Sequence, residues 1–251
     1  MTTAAIDWKA WLASWEAQQG RHNPRREERF LVIVQAVRSH CGADPRVLDL
    51  GAGPGSLSLR LVEAIPAARV LAIDRDPLLL ELGRRALAGE GRIRFVDADL
   101  GDPDLIQLGS DFDAAVSTTA LHWLRPEPLR QLYRSLAAML RPGGIFLNGD
   151  RLAGGSELDD LASVVRHRLE PEVMDDPADP GTWKGWWRAV EREPGFAAAL
   201  AERARRDHGH PQMHGQAPSL MIHEAALREA GFREVGALWQ HLDDRVLAAL
   251  R

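Results

Sequence analysis

The chain has 251 residues, of which 45% are hydrophobic and 27% are charged, and its formal net charge is -5. This composition is typical of a soluble protein with a substantial core, and the length suits one large α/β domain or two small ones. The acidic balance argues against a nucleic-acid-binding surface, because such surfaces carry concentrated positive charge.

The cysteine content and the N-terminal stretch favour a reducing, cytoplasmic location. Cys41 is the only cysteine, so no intrachain disulfide can form, and we expect it to fill buried space. The stretch MTTAAIDWKAWLASW lacks the basic start and apolar centre of a signal peptide. No stretch approaches the roughly 18 apolar residues of a membrane span, so we expect no membrane contact. The sequence does not specify an oligomeric state, and a homodimer is compatible with it.

Two amphipathic helices are predicted before residue 46. Apolar residues from Trp8 to Trp15 follow the i, i+3, i+4, i+7 spacing of one helix face. A second helix is predicted with Asn23 as its N-cap, Pro24 in its first turn and Gly42 just past its end.

From residue 46 onward, short apolar strands alternate with helices of about 12 residues, which indicates βαβ units in a parallel sheet covered on both faces. The predicted strands are RVLDL, RVLAID, RIRFVDADL, FDAAVSTT and GIFLNGD. After Asp150 the alternation stops. Residues 152–219 are helical and irregular, and the chain then ends in a helix and an antiparallel hairpin at the sheet edge.

These elements predict an α/β fold with a doubly wound, mostly parallel seven-stranded sheet of the Rossmann-like type and a reversed edge strand. We expect a single domain over 1–251. Its parts are an N-terminal helical cap (1–45), a core that binds the ligand (46–151), an inserted helical lid (152–219), and a terminal helix and β-hairpin that complete the core (220–251).

A glycine-rich turn follows the first strand in VLDLGAGPGSLSL, and it indicates a ligand close to the backbone. Glycine allows positive φ and removes the Cβ that would hold a ligand away. The dinucleotide fingerprint G-x-G-x-x-G does not fit, because Ser56 stands at the sixth place and Pro54 has no N–H to offer a pyrophosphate. A phosphate-binding loop is also excluded, since no lysine is nearby.

Five stretches in chain order resemble the motifs of class I S-adenosylmethionine-dependent methyltransferases. They are VLDLGAGPGSLSLRL, LAIDRDP, RFVDADL, FDAAVSTTALHWL and LRPGGIFL. The resemblance covers residues 46–150 well and the terminal hairpin moderately. It implies S-adenosylmethionine as cofactor, S-adenosylhomocysteine as product, and a small-molecule acceptor, because bacterial relatives with such caps act on metabolites.

The resemblance assigns cofactor contacts at the carboxyl ends of the strands. Asp74 accepts both ribose hydroxyls, and Arg75 flanks the adenine. Asp99 accepts from the adenine amino group, while the backbone N–H of Leu100 donates to a ring nitrogen. Asp97 is expected to remain in a solvated turn.

The methionine part of the cofactor is expected beside the glycine-rich turn. Its predicted contacts are the backbone of Gly51, Ala52 and Gly53, the ammonium partner Asp49, the carboxylate partner Arg29, and Ser117 and Thr118 beneath the sulfonium. Arg25 and Arg26 are further candidates for the carboxylate contact, of which Arg29 is the favoured one, and a solvated position on the helix face is an equal alternative.

Two interpretations of His122 remain open, as a general base near the transferred methyl group or as a wall of the cofactor pocket beside Trp123. Trp183, Trp186 and Trp187 lie on one helix face; they pack a helix, wall the acceptor pocket, or do both. His208, His210 and His214 form a cluster in a loop. We expect His210 and His214 to contact the acceptor rather than a metal, and no metal site is predicted.

The predicted activity is methyl transfer to a small molecule. Two alternatives remain open, a non-catalytic S-adenosylmethionine-binding regulatory protein and a tRNA or protein methyltransferase. The negative net charge of the chain argues against RNA as the methyl acceptor.

Overall fold

The computed structural model describes residues 6–154, 157–170, 174–206 and 217–251. Its strands are β1 (Arg46–Leu50), β2 (Arg69–Asp74), β3 (Ile93–Asp97), β4 (Phe112–Thr118), β5 (Leu140–Arg151), β6 (Arg233–His241) and β7 (Asp244–Leu250). Its helices are α1 (Trp8–His22), α2 (Arg26–Cys41), α3 (Ser56–Ala64), α4 (Pro77–Ala86), α5 (Pro126–Met139), α6 (Asp159–Leu169), α7 (Trp183–Arg192), α8 (Ala197–Arg205) and α9 (Leu220–Glu229). None of these helices is both long and apolar enough to cross a membrane.

Within the described residues the strands form one seven-stranded sheet in the order β3-β2-β1-β4-β5-β7-β6. Strands β1 to β5 are parallel, and β7 runs antiparallel to both β5 and β6. The predicted doubly wound sheet is therefore present. The reversed strand, however, lies one position inside the edge, because the hairpin returns β7 into the sheet and leaves β6 outermost.

Helix α2 begins at Arg26, slightly later than predicted from Asn23 and Pro24. The carbonyl of Asn23 accepts a hydrogen bond from the backbone N–H of Arg26, which makes a turn before the helix starts. Gly42 follows the helix end with a φ of +83°, as the predicted stop requires.

Three apolar clusters hold the helices against the sheet. One packs α5 and α9 on one face, and a second packs α2 and α3 on the other. The third cluster joins α1, α4 and α7 through Trp15, Leu79 and Trp186. Helix α1 of the N-terminal segment and helix α7 of the inserted segment therefore pack together over α4.

Candidate functional site

A cavity of about 580 Å³ opens at the carboxyl ends of β1, β2, β3 and β4. Its floor is made by the glycine-rich turn and the strand ends, and helices α1, α7 and α8 contribute its outer wall. Ligands of open parallel sheets lie at this edge, where the chain direction places turns and helix N-termini. The cavity is therefore the candidate site.

The glycine-rich turn is folded back onto β2. The backbone N–H groups of Gly51 and Ala52 both donate to the carbonyl of Ile73, at 2.8 and 3.0 Å. Gly51 has a φ of +68°, and a Cβ there would lie 2.3 Å from the Cβ of Ala120. A Cβ at Gly53 would make ordinary van der Waals contacts with Leu79 and Trp15, at 3.8 and 3.9 Å, so Gly53 is less tightly enclosed than Gly51.

Two carboxylates line the cavity without a cationic partner among the described residues. Asp49 is buried at the end of β1 and accepts a hydrogen bond from the Ser58 hydroxyl at 2.6 Å. Burial, together with the nearby charge of Asp74, raises the pKa of Asp49 to about 7. Asp74 accepts from the backbone N–H groups of Gly53 and Asp76, and burial also raises its pKa. The pair therefore suits a ligand that brings a positive charge and hydroxyl donors.

Arg75, Asp99 and Leu100 line the cavity at the ends of β2 and β3. The Arg75 guanidinium lies 2.9 Å from a carboxylate oxygen of Asp99. The other Asp99 oxygen accepts from the backbone N–H of Gly101 at 2.8 Å. Asp97, in contrast, forms an ion pair with Arg206 at 2.8 Å, just beyond α8.

His122 and Asp150 form a dyad at the other end of the cavity. The Nδ1 atom of His122 lies 2.9 and 3.0 Å from the two carboxylate oxygens of Asp150, the penultimate residue of β5. Burial opposes ionisation of Asp150, but the charge and hydrogen bond of His122 prevail and lower its pKa. In the neutral imidazole, a proton on Nδ1 that faces the ionised Asp150 leaves the lone pair of Nε2 available to accept. Nε2 has no hydrogen-bond partner among the described residues.

Thr119 adds backbone strain next to this dyad. It follows β4, lines the cavity and has a φ of +49°, a left-handed conformation that β-branched residues rarely adopt. Its N–H donates to the carbonyl of Gly149 at 3.0 Å. Strain of this kind is typical of functional sites, where the surrounding structure holds it.

Comparisons with known proteins agree with this geometry. The family model described as a methyltransferase domain matches residues 47–144. The trans-aconitate 2-methyltransferase of Streptomyces coelicolor is 30% identical over 172 residues, 64% of this chain and 50% of that protein. The demethylmenaquinone methyltransferase of Clavibacter sepedonicus is 41% identical over 104 residues, 41% of this chain and 39% of that protein. Human N-acetylserotonin methyltransferase, solved in complex with SAM, has a TM-score of 0.57 at 16% identity, covering 96% of this chain and 57% of that one.

Residues 47–144 therefore match a methyltransferase domain, and the solved methyltransferases share the fold of the chain. The chain spans half or less of the length of these two curated relatives. The fold of the methyltransferase domain continues beyond the matched residues, since β7 and β6 extend its sheet.

Two residues expected at the cofactor of this methyltransferase domain lie elsewhere. Arg29 is 1% exposed and donates to Asp244 at 3.1 Å, because its position on α2 faces β7 rather than the cavity. Ser117 is fully buried and donates to the carbonyl of Leu50 at 2.8 Å. Arg26, one helical turn before Arg29, lines the cavity instead. Ala52 and Thr118 line the cavity as expected for contact residues.

The tryptophans of α7 divide between the cavity and the core. Trp183 and Trp187 line the cavity. Trp186 does not, because it is 1% exposed and its Nε1 donates to Ser14 of α1 at 3.0 Å. The Arg203 guanidinium lies 4.3 Å from the centre of the Trp187 ring and pairs with Asp76. Trp187 is thereby tied, through Arg203, to Asp76 just beyond β2. The acceptor-pocket role of Trp183 and Trp187 stays a prediction.

The histidine cluster falls outside the described residues, which omit 207–216. The roles predicted for His210 and His214, and the absence of a metal there, stay predictions. Among the described residues no group of three or more His, Cys, Asp or Glu side chains is arranged to hold a metal ion.

Sequence reasoning missed Asp150, Thr119 and the cavity-lining residues of α1. A signal for Asp150 existed, because the predicted strand GIFLNGD ends in a carboxylate at the same sheet edge as the other site residues. No sequence signal marks the positive φ of Thr119. The side chains of α1 that line the cavity, Gln19 and His22 among them, could not be assigned without knowing where the helix packs.

Proposed function

We propose that this protein transfers a methyl group from S-adenosylmethionine to a small-molecule acceptor and releases S-adenosylhomocysteine. The observation that carries the proposal is the pair of cavity-lining carboxylates, the buried Asp49 and the half-buried Asp74, beside the backbone of Gly53. An amino-acid ammonium and a ribose diol are the groups that such a pair binds well. The match of residues 47–144 to the methyltransferase domain supports the same cofactor.

The described residues fit this cofactor along the whole cavity. Asp74 would accept the ribose hydroxyls, while Asp99 and the Leu100 N–H would face the adenine. Asp49 would accept from the ammonium, and the carboxylate would lie toward Arg26, which lines the cavity and already pairs with Glu16. When bound, S-adenosylmethionine supplies a methyl group activated by its attachment to a positively charged sulfur.

His122 is the proposed general base at the acceptor end. Its Nε2 takes a proton from the acceptor, while Asp150 keeps the Nδ1 proton in place and stabilises the imidazolium that forms. These roles are supported by the contact geometry, since both carboxylate oxygens of Asp150 lie within hydrogen-bond distance of Nδ1 of His122. Thr119 and Trp123 line the same end and would help to hold the acceptor and exclude water.

The acceptor is proposed to be a metabolite in a reducing, cytoplasmic compartment. The names of the two relatives, trans-aconitate 2-methyltransferase and demethylmenaquinone methyltransferase, support a small-molecule acceptor. The lone thiol, Cys41, is half-buried, and burial with the nearby Asp113 raises its pKa to about 11, so it stays an unreactive thiol at neutral pH.

Calorimetric titration with S-adenosylmethionine, S-adenosylhomocysteine and NAD tests the proposal. We expect the first two to bind and NAD not to bind, because the turn lacks a pyrophosphate site. Tight NAD binding without a response to the other two would refute the assignment. The non-catalytic alternative is distinguished by turnover, since it predicts cofactor binding with no methyl transfer to any acceptor.

A further inference from the structure

The arginines that line the cavity are all engaged by carboxylates in the part of the chain that the structure describes. Arg26 pairs with Glu16 at 2.8 Å, Arg75 with Asp99 at 2.9 Å and Arg203 with Asp76 at 2.7 Å. A guanidinium that is already paired attracts a second carboxylate far less than one without a partner.

Asp49 and Asp74 leave the cavity with an excess of acidic groups. Together with Asp76 and Asp99 they make four lining carboxyl groups, against the three arginines named above. The ammonium, sulfonium and carboxylate of the cofactor together would bring one net positive charge, which offsets this excess and leaves no surplus of positive charge. A polycarboxylate acceptor would thus enter a site with no cation reserved for it.

The end of the cavity at His122 and Asp150 has an apolar wall, in contrast to the carboxyl-rich end at Asp74 and Asp99. Next to His122 in the chain, Ala120, Trp123 and Leu124 also line the cavity. The Trp123 ring is 44% exposed and its centre lies 4.9 Å from that of His122. An exposed aromatic face among aliphatic side chains suits a planar, neutral molecule.

A general base is needed only when the acceptor carries a proton at neutral pH. A carboxylic acid, with a pKa of about 4, is already ionised, whereas a phenol, with a pKa of about 10, is not. A His–Asp dyad with its Nε2 available at the acceptor end is therefore redundant for a carboxylate and useful for a hydroxyl.

We propose that the acceptor is a neutral molecule with a phenolic or enolic hydroxyl, rather than a carboxylate such as trans-aconitate. The inference rests on the proposed function. The hydroxyl proton moves to Nε2 of His122, giving an imidazolium paired with Asp150. The acceptor oxygen forms its bond to the methyl carbon with the electron pair so freed, while the carbon–sulfur bond breaks and its electrons stay on sulfur. The imidazolium then returns the proton to solvent.

Transfer of a tritiated methyl group to a defined panel tests the proposal. The panel contains 4-methylphenol, 4-nitrophenol, trans-aconitate and tryptamine, each measured with the wild-type protein, with His122→Ala, and with His167→Gln as a control on an exposed histidine of α6. We expect kcat/KM for 4-methylphenol to exceed that for trans-aconitate about 100-fold, and His122→Ala to lower it about 100-fold. The loss should fall below about 10-fold for 4-nitrophenol, which ionises near neutral pH.

The outcomes separate this inference from the proposed function. If trans-aconitate or tryptamine is the better acceptor, if neither phenol is methylated while calorimetry shows bound cofactor, or if His122→Ala affects both phenols equally, the hydroxyl assignment is wrong and the cofactor assignment stands. If neither S-adenosylmethionine nor its product binds, the proposed function itself fails.

Discussion

At the scale of single residues, Asp49 is the group whose ionisation is most closely tied to ligand binding. Its carboxyl group is buried, has a pKa raised to about 7 and lacks a cationic partner among the described residues. An ammonium that binds beside it favours the ionised form, so binding must release a proton wherever Asp49 is protonated.

We predict that cofactor affinity rises with pH and levels off above about pH 7. The raised pKa means that the free protein holds the proton below this value, so affinity should fall about tenfold for each pH unit further down. Calorimetry in buffers of different ionisation enthalpy measures the proton release directly. Asp49→Asn, which still offers an oxygen to Ser58, should abolish the dependence, and an unchanged dependence in this variant would place the ammonium elsewhere.

Asp74→Ala tests the ribose contact. Loss of an acceptor for two hydroxyls should weaken binding of S-adenosylhomocysteine by about 2 to 3 kcal/mol, or tens of fold or more. Asp102→Ala is the matched control, because Asp102 follows β3 and caps only the short helical turn Pro103–Leu108. Equal affinities for the two variants in folded protein would contradict the assignment.

Asp150→Asn tests the positioning of His122. The amide can donate to Nδ1 and so favour the tautomer with its proton on Nε2, which cannot accept from the acceptor. We expect kcat for a hydroxyl acceptor to fall about 100-fold while KM changes little. The loss should shrink as the acceptor becomes more acidic, because an ionised acceptor needs no base. A raised KM with unchanged kcat would mean that Asp150 only shapes the pocket.

At the scale of elements, helix α7 is anchored by one tryptophan and presents two others to the cavity. Trp186 packs against Trp11 and Trp15 of α1, with ring centres 6.1 and 5.0 Å away. Trp187 instead lies under Arg203 at the end of β2. We propose that the helix covers the ribose side of the cavity and that its tryptophans have separable roles.

We predict that Trp186→Ala lowers the free energy of unfolding by about 3 kcal/mol or more, because it opens a void in the core. Trp187→Ala should instead weaken S-adenosylhomocysteine binding with a smaller change in stability. Thermal unfolding and calorimetry on both variants measure the two effects. If a Trp187→Ala variant keeps full cofactor affinity but loses turnover of the acceptor, helix α7 lines the acceptor side of the cavity and not the ribose side.

The sequence predicts the strands and helices of the core well, because alternating apolar strands and capped helices are local signals. It also locates Asp49, Asp74 and Asp99, since each ends a parallel strand and all such ends meet at one edge. Local patterns could not choose between Arg26 and Arg29, which lie one turn apart on the same helix. Local patterns also could not show that α7 packs over α4. A stripe of tryptophans indicates that one face of a helix is buried, but it does not identify the element that the face packs against.

At the scale of the whole molecule, a buried polar pair links α5 and α9 behind the dyad. The Tyr133 hydroxyl lies 2.5 Å from Nδ1 of His223, and both residues are fully buried. Burial lowers the pKa of His223 from 6.5 to about 4, with the charge of Asp150 opposing the shift. The folded state therefore binds this proton more weakly than the unfolded chain does.

This pair should make the fold sensitive to acid. The contribution of neutral His223 to the free energy of unfolding is fully present above about pH 6.5. It is lost as the pH falls toward 4, and the free energy of unfolding then decreases by about 3 kcal/mol. The double variant Tyr133→Phe/His223→Phe removes both partners and should lose this part of the pH dependence of urea unfolding. If the wild type and the double variant keep a constant stability difference from pH 7 to 4, His223 does not carry the effect.

All of these residue assignments depend on the orientation of the cofactor in the cavity. A crystal structure of the protein with bound S-adenosylhomocysteine measures this orientation directly. The predicted result has the ribose hydroxyls within hydrogen-bond distance of Asp74 and the sulfur atom closer to His122 than to Trp187. A ligand bound outside the cavity, or one with its sulfur beside Trp187 and its adenine beside His122, would contradict the account.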